Sequence, residues 1–350
     1  MKKILVTGGG APAGINFINS LNHAPEDFEI ISSDINKFHL ELTPSNTRII
    51  LPSCENSNYI EKLNHVIEEF EIDLLHSQPD SEVKVISENR EKLNTKIFFP
   101  AKKTIEICQN KELSSEIWTK EGILEKNSIT INSEKDLEIA ANSFGYPYWL
   151  RASVGASSKG SSLIQNKQTA FHWIEYWKSR NIDWRFIAQD YFGGRNIAFQ
   201  SLWKDGELIV SQARERLEYL YPNLAPSGVT NTPVVAVTIN DENVNDIAFK
   251  SVKSIDKNAS GIFCVDLKED NQGKIRPTEI NAGRFFTTSY FFTKAGINMP
   301  YYYIKLAFDE EIPKLPKFNA LPEGLYWIRH IDGSAVLVKE GEWQNKDFSI

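Results

Sequence analysis

At residues 261–267 the chain reads GIFCVDL, and at residues 275–281 it reads IRPTEIN. Both segments have the composition of β-strands, and the polar run between them is typical of a hairpin turn. If the turn centres on residues 272–273, Asp266 pairs with Glu279. The two carboxylates then face each other on one side of the sheet, roughly 5 Å apart at Cβ.

Asn281 joins these carboxylates because side chains return to the same face of a strand every second residue. Two facing carboxylates repel each other unless a cation lies between them. Carboxylate and amide oxygens suit Mg²⁺, which takes few protein ligands and keeps room for phosphate oxygens. The segments therefore predict a Mg²⁺ site on Asp266, Glu279 and Asn281. A solvated hairpin whose charges never converge is the alternative.

The composition is typical of an ordinary globular protein, and the length allows two or three domains. The chain has 350 residues, of which 41% are hydrophobic and 24% are charged. A formal net charge of -7 without a cluster of basic residues disfavours a nucleic-acid partner. The three cysteines are widely spaced, which argues against a disulfide framework or a zinc site. The first apolar run ends at Thr7, and no apolar stretch suits a membrane span, so we expect a cytoplasmic protein with no membrane partner.

The first hundred residues alternate predicted strands and helices, a pattern that favours a parallel sheet with covering helices. A glycine-rich run at residues 8–14 follows a strand and precedes a helix, and Asp34 lies about 20 residues further on, as in dinucleotide-binding proteins. The glycine spacing differs from G-x-G-x-x-G, however. A structural glycine turn or a vestigial cleft is the favoured interpretation, and a nicotinamide oxidoreductase stays an alternative.

A second loop of small residues, VGASSKG at residues 154–160, follows a predicted strand. Glycine and serine let backbone N–H groups approach phosphate oxygens, and Arg151 and Lys159 add positive charge. The loop is not a Walker A motif, and a solvated turn is its alternative. Further along, the strand at 186–191 ends in a bend of the kind that can set backbone groups against an adenine edge.

Taken in order, these elements resemble the ATP-grasp superfamily, in particular the branch of the carbamoyl-phosphate synthase large subunit. The resemblance covers about residues 1–310. It implies an α/β protein with an ATP-grasp fold, preceded by a Rossmann-like pre-ATP-grasp domain with a parallel sheet. The implied units are a pre-ATP-grasp domain at 1–109, a small subdomain with a phosphate-covering loop at 110–184, a large subdomain with the Mg²⁺ site at 185–310, and a β-rich extension at 311–350.

The resemblance also implies residue roles. Lys111 and Arg151 would reach the phosphates of ATP, and the loop from Gly155 to Gly160 would cover them. The bend after residue 189 would hold the adenine. The complete set implied in ATP binding is Lys111, Arg151, Gly155, Ser157, Ser158, Lys159, Gly160, Gln189, Asp190, Tyr191, Phe192 and Asn196. The set implied in Mg²⁺ binding is Asp266, Glu279 and Asn281.

Two positions depart from the family pattern. Asn196 stands where relatives usually have a glutamate bonded to the ribose hydroxyls. After Asn281 the family often continues Pro-Arg, whereas here Arg284 comes one position later. Arg284, together with Arg214 and Arg216 on one strand, is a candidate to bind the transferred phosphoryl group or an anionic substrate. Ordinary surface arginines are the alternative.

The activity implied by the resemblance is that of an ATP-dependent carboxylate–amine ligase with ATP and Mg²⁺ as cofactors. A small-molecule carboxylate would receive the γ-phosphoryl group, and a small-molecule amine would attack the acyl phosphate. A kinase of the same fold and a non-catalytic nucleotide-binding protein are the alternatives, and Asn196 favours the second. The sequence defines neither the two substrates nor the oligomeric state, for which a homo-oligomer is one option.

Overall fold

The computed structural model describes residues 1–154, 160–182, 184–224, 233–331 and 336–341. Three β-sheets organise these residues, and helices pack against each sheet. The predicted α/β class is confirmed. None of the described helices is both long enough and apolar enough to cross a lipid bilayer.

The first sheet is parallel, as the alternation of strands and helices predicts. Its strand order is β3-β2-β1-β4-β5. The strands are β1 (Lys2–Thr7), β2 (Phe28–Asp34), β3 (Thr47–Ile50), β4 (Leu74–Ser77) and β5 (Lys96–Ile97). The helices between and after them are α1 (Pro12–Asn22), α2 (Lys37–Leu40), α3 (Tyr59–Glu69), α4 (Asp80–Glu88) and α5 (Lys102–Gln109), with a 3₁₀ turn at Arg90–Lys92. Sequence reasoning missed β3 and α3.

The glycine-rich run after β1 is used for close packing. A Cβ on Gly10 would lie 2.4 Å from the carbonyl carbon of His39 in α2, and one on Gly14 would lie 2.2 Å from the carbonyl oxygen of Gly8. The carboxylate of Asp34 accepts a hydrogen bond from the backbone N–H of Asn36, at 2.9 Å. These contacts support the structural glycine turn over the dinucleotide alternative, because α2 covers the loop.

The second sheet is small and antiparallel, with strand order β6-β9-β7-β8. It contains β6 (Ile129–Ile131), β7 (Tyr148–Ala152), β8 (Ser162–Ile164) and β9 (Phe186–Asp190). Helix α6 (Lys111–Lys120) leads into it, and α7 (Glu134–Phe144) and α8 (Lys167–Ser179) pack on it. The subdomain boundary predicted between residues 184 and 185 stays a prediction. Strand β9 lies after that boundary but pairs with strands β6 and β7 of this sheet.

The third sheet is antiparallel and has seven strands in the order β14-β13-β10-β11-β12-β15-β16. They are β10 (Asn196–Lys204), β11 (Glu207–Tyr219), β12 (Pro233–Ile239), β13 (Gly261–Glu269), β14 (Ile275–Ala282), β15 (Leu325–Ile328) and β16 (Val336–Lys339). A 3₁₀ turn at Pro222–Leu224 follows β11. The associated helices are α9 (Glu242–Ile255), α10 (Tyr290–Lys294) and α11 (Met299–Ala307). The predicted β-rich tail thus extends this sheet beyond β12.

Two large hydrophobic clusters join the first sheet to the third. In one of them, Leu5 of β1 and Phe199 of β10 are fully buried members. In the other, Val6 of β1 is joined by Ala198 of β10. The second sheet has its own cluster, in which Leu137 and Ala170 of its helices belong with strand residues. The packing therefore makes one body of the first and third sheets, with a separate core behind the second.

Candidate active site

A single hairpin carries the predicted metal ligands. Strands β13 and β14 pair Asp266 with Glu279 and Cys264 with Asn281, which confirms the register predicted from the sequence. The register shifts immediately after Asp266: Leu267 pairs with Pro277, which leaves Thr278 as one extra residue in β14. The hairpin turn is fixed by Asp270, whose carboxylate accepts hydrogen bonds from the backbone N–H groups of residues 272 and 274, both at 2.9 Å.

The hairpin borders a cavity of about 1010 Å³. Residues of the second and third sheets line it together with residues that follow strands β1 and β4 of the first sheet. Basic side chains outnumber acidic ones there, although the whole chain carries a net charge of -7. Apart from the loop residues outside the described ranges, the cavity brings together almost every residue that sequence reasoning proposed. These are Lys111, Arg151, Gln189, Asp190, Tyr191, Phe192, Asn196, Arg214, Arg216, Asp266, Glu279, Asn281 and Arg284.

Glu279 is held by two buried cations. Its Oε1 lies 3.6 Å from Nζ of Lys111, and its Oε2 lies 3.9 Å from Nη1 of Arg151. Both basic side chains are only 8% exposed. Burial raises the pKa of Glu279, but the charges of Lys111 and Arg151 outweigh it, so that the pKa lies below its usual value. Glu279 is therefore a carboxylate at neutral pH.

Arg151 connects the second sheet to the third. Its Nε donates to Oε1 of Gln189 at 2.8 Å, and its Nη2 donates to the carbonyl oxygen of Thr278 at 2.6 Å. The backbone of Lys111 is also held in place. It begins α6, which Asn110 caps with its side chain, and its backbone N–H donates to the carbonyl oxygen of Ser153 at 3.0 Å. The guanidinium of Arg151 and the backbone of Lys111 are thus fixed by contacts other than Glu279.

Asp266 has a different cation. Its Oδ1 lies 2.5 Å from Nη2 of Arg216, and its Oδ2 accepts from Nδ2 of Asn281 at 3.1 Å. Nη1 of Arg216 also donates to Oδ1 of Asn196 at 3.2 Å. Burial raises the pKa of Asp266 above its usual value, and the attraction of Arg216 offsets this only in part. Asn196 is therefore connected through Arg216 to Asp266, one of the predicted metal ligands.

Arg284 lies on the side of the cavity that faces the first sheet. Its guanidinium forms an ion pair with Asp80, the first residue of α4, and donates to Oδ1 of Asn281. Sequence reasoning missed Asp80. It follows the carboxyl end of β4, and residues at the carboxyl ends of parallel strands are the ones expected to face a ligand cleft. Its position directly after a parallel strand could have identified Asp80 as a candidate site residue.

The predicted adenine end of the cavity is aromatic. Trp149 and Tyr191 stack with ring centroids 6.2 Å apart, and Nζ of Lys268 lies 5.9 Å from the Tyr191 centroid. Asp190 forms an ion pair with Lys126 at 3.6 Å. Sequence reasoning missed Trp149 and Lys268. Lys268 comes two residues after Asp266 and therefore lies on the same face of the strand.

Four predicted phosphate-loop residues, Gly155, Ser157, Ser158 and Lys159, lie outside the described residues. Gly160 is described and ends that segment. It has a positive φ of 74°, and a Cβ there would lie 2.6 Å from the Trp184 ring. Its carbonyl oxygen accepts a hydrogen bond from Nε1 of Trp173 at 3.0 Å. Glycine is required at this position by both backbone conformation and space.

The side chains predicted to bind the metal ion offer only oxygen atoms as ligands. Within the described ranges, no group of three or more His, Cys, Asp or Glu side chains is arranged to hold a metal ion. The hairpin instead offers two carboxylates and one amide. Such a set cannot enclose a cation with protein atoms alone, and it leaves positions for water and phosphate oxygens, as Mg²⁺ prefers.

Neither a protein-family model nor a curated protein matches the chain. Solved structures do. One is the biotin carboxylase domain of the 2-oxoglutarate carboxylase of Hydrogenobacter thermophilus, in complex with MgADP, ADP and bicarbonate. It has a TM-score of 0.71 and 16% identity over 93% of this chain and 73% of that one.

Two further structures are similar over the same share of this chain. N5-carboxyaminoimidazole synthetase from Staphylococcus aureus, complexed with ADP, has a TM-score of 0.71 and 15% identity over 93% of this chain and 82% of that one. L-amino acid ligase from Bacillus licheniformis has a TM-score of 0.69 and 13% identity over 93% and 79%. These neighbours have the ATP-grasp fold. At such identities the likeness establishes the fold alone, and the predicted ATP-grasp fold is confirmed.

Proposed function

We propose that this chain is an ATP-dependent carboxylate–amine ligase that works through an acyl phosphate. The observation that carries the proposal is the pair of facing carboxylates, Asp266 and Glu279, each next to its own buried cations. Such an arrangement suits a polyphosphate with its counter-ion, because the carboxylates can exchange protein cations for a metal while the released cations contact phosphate oxygens.

ATP would lie along the cavity, with its base at one end and its phosphates at the hairpin. The stacked rings of Trp149 and Tyr191 suit a flat adenine. Lys111 and Arg151 would bind the phosphates, and the loop at residues 155–160 is proposed to cover them by resemblance to the family. Asn196 would bond a ribose hydroxyl as a neutral group in place of the usual glutamate.

The residues present fit Mg²⁺, and we assign it to Asp266, Glu279 and Asn281. When bound, Mg²⁺ would neutralise charge on the β- and γ-phosphates of ATP. The side-chain amide of Asn281 already bridges the two sides of the site, donating to Asp266 and accepting from Arg284. The bridge fixes the amide between Asp266 and Arg284.

The proposed reaction begins when a carboxylate oxygen of the substrate attacks the γ-phosphorus of ATP, breaking its bond to the β–γ bridging oxygen and releasing ADP. An amine then attacks the acyl carbon, inorganic phosphate leaves, and the amine nitrogen loses a proton as the amide forms. The protein supplies no nucleophile. Arg216 and Arg284 border the hairpin and would orient the carboxylate and stabilise the charge of the transferred group.

The names of the structural neighbours support this reaction class. They are enzymes that bind ADP with bicarbonate, carboxylate an aminoimidazole, or ligate an amino acid. The particular carboxylate and amine, the closer likeness to the carbamoyl-phosphate synthase branch and the four-unit division of the chain stay proposals.

The test is ADP release with MgATP and pooled carboxylates (amino acids, sugar acids and dicarboxylates), with hydroxylamine as a general amine. A hydroxamate that needs one pool would establish acyl-phosphate chemistry and narrow the substrate. ADP without hydroxamate would favour the kinase alternative. Nucleotide binding without ADP release from any pool would favour the non-catalytic alternative, to which the contact of Asn196 with Arg216 lends some support.

A further inference from the structure

Arg214 is a buried cation whose guanidinium has unused donors. The residue lies on β11, lines the cavity and is only 1% exposed. Its Nε and Nη1 have no hydrogen-bond partner among the described residues. The guanidinium carbon lies 4.9 Å from the ring centroid of Phe286 and 5.1 Å from that of Phe292. These rings contact the guanidinium but offer no acceptor to Nε and Nη1.

Two neighbouring cavity arginines differ from Arg214 because each has a carboxylate partner. Arg216 forms an ion pair with Asp266, and Arg284 forms one with Asp80. A buried charge without a partner is costly, because water has been removed and no protein anion replaces it. Among the described residues, Arg214 is therefore the cavity arginine that no carboxylate pairs with, and a bound anion would supply the missing partner.

A second arginine contacts the residue that follows Phe286, the ring that Arg214 faces. Arg329 follows β15; its Nε donates to the carbonyl oxygen of Pro233 at 2.9 Å and its Nη1 to that of Thr287 at 3.3 Å. Its Nη2 is buried and has no partner within the described part of the chain. Pro233 and Thr287 both line the cavity. Burial lowers the pKa of Arg214 to about 9, and the charges of Arg216 and Arg329 contribute to this shift.

Gln78 adds a third unused donor to the cavity wall. Its Oε1 accepts a hydrogen bond from the backbone N–H of Phe285 at 3.2 Å, and this contact orients the amide. Its Nε2 is buried, lines the cavity and has no described partner. The unused nitrogen atoms of Arg214 and Gln78 are all donors, so they complement a ligand rich in acceptor oxygens.

We propose that Arg214 and Arg329 form a second anion subsite, so that the substrate carries a further carboxylate or phosphate group besides the carboxylate that reacts near Arg284. The identification of the reacting carboxylate rests on the proposed function. The second subsite would select dianions over monoanions. A bound anion would provide the acceptors that Arg214 and Arg329 lack.

Binding measurements with MgADP present test the subsite without turnover. The probes are succinate and glutarate against their monoamides, succinamate and glutaramate, and phosphoglycolate against glycolate, each titrated calorimetrically. At least one dianion is expected to bind about tenfold or more tightly than its monoanionic match. The carboxylate and phosphate pairs distinguish the two kinds of second group. If no dianion is favoured over its match, the proposal is wrong.

Three variants connect the selectivity to the residues. Arg214→Met keeps the packing between the phenyl rings and removes the charge, while Arg329→Gln changes a half-buried position. Both are expected to abolish the preference for the dianion, and Arg180→Gln on the exposed end of α8 is expected to keep it. Retention of the preference in both Arg214→Met and Arg329→Gln would overturn the assignment.

Stability and nucleotide binding provide separate readouts. Removal of an unpaired buried charge is expected to leave the melting temperature of ligand-free Arg214→Met unchanged or raised, and to abolish the increase caused by the dianion. Its affinity for MgADP and for a non-hydrolysable ATP analogue should stay within about threefold of wild type. A larger loss would assign Arg214 to the nucleotide phosphates and contradict the proposal.

The hydroxamate assay separates this inference from the proposed ligase. Dianion binding that depends on Arg214 without hydroxamate formation would support the subsite and refute the ligase. Hydroxamate formed from monoanions, with equal efficiency in Arg329→Gln, would support the ligase and refute the subsite.

Discussion

Asp266 and Glu279 face each other across β13 and β14, and each carboxylate is held by a different group of cations. Asp266 contacts Arg216 at 2.5 Å, whereas Glu279 lies between Lys111 at 3.6 Å and Arg151 at 3.9 Å. The pKa of Asp266 is raised by burial, while the pKa of Glu279 is lowered because its two cations outweigh burial. The looser contacts of Glu279 make it the carboxylate better placed to exchange partners.

Glu279→Gln is expected to reduce Mg²⁺-dependent ADP formation by about 100-fold or more, because the change removes an ionised ligand at a phosphoryl-transfer site. The fold should persist, since glutamine has the same shape. ADP release at several Mg²⁺ concentrations, with circular dichroism to confirm folding, checks this. The exposed Glu138→Gln in α7 is the matched control. Near-normal turnover in Glu279→Gln would remove Glu279 from the metal site.

Arg151→Lys keeps the positive charge but is expected to lower kcat/KM for MgATP by about tenfold or more. A lysine ammonium cannot reach Gln189 and Thr278 together as the planar guanidinium does. The connection between the second and third sheets would therefore loosen. Steady-state kinetics with varied ATP measure the effect, and Arg180→Lys on the surface serves for comparison. Equal kinetics in the two variants would contradict a positioning role for Arg151.

Asn196→Ala is expected to weaken MgADP binding about fivefold. One hydrogen bond to Arg216 or to a ribose hydroxyl contributes about 1 kcal/mol. Calorimetric titration of MgADP gives the affinity directly. The exposed Asn132→Ala should bind like wild type. If Asn196→Ala also binds like wild type, the residue has no part in nucleotide recognition.

The hairpin turn predicts a pH dependence of stability. Burial opposes ionisation of Asp270, but hydrogen bonds from the backbone N–H of Lys274 and from Arg276 lower its pKa below 3.8. A lowered folded-state pKa stabilises the protein above the unfolded value, and this contribution is lost as pH falls through the folded value.

Asp270→Asn should therefore reduce the free energy of unfolding by about 2 kcal/mol at neutral pH, because hydrogen bonds to a charged acceptor are lost. The difference between the variant and wild type should shrink as pH falls below 3.8 and through the lowered folded-state pKa, because folded wild type then also loses the charge. Urea unfolding at pH 7, 4 and 3 measures it. A difference that does not change with pH would mean that the carboxylate charge has no role in the turn.

Much of this site could be predicted because it depends on local periodicity. The register of the β13–β14 hairpin follows from turn position and strand alternation, so Asp266, Glu279 and Asn281 could be placed together in advance. Cys264 and Asn281 pair as the same register requires. The ATP-grasp fold was recognisable from the order of such local motifs.

What was missed depends on contacts between distant segments. Asp80 and Arg284 form an ion pair although they are 204 positions apart in the sequence, and Arg329, which follows β15, donates to the carbonyl oxygen of Thr287. No periodic pattern encodes such pairs. β3 was missed because it is only four residues long and none of its residues is fully buried, so its alternation carries little signal.

The close contact between the first and third sheets limits how this chain can be divided in the laboratory. A Cβ on Gly261, at the start of β13, would lie 2.8 Å from the carbonyl oxygen of Phe98. A fragment starting at residue 110 would lose this contact, uncover the apolar face that includes Phe199, and leave Arg284 without Asp80. Truncation screens and domain-exchange chimeras should therefore carry residues 1–109 along with the hairpin as a single unit.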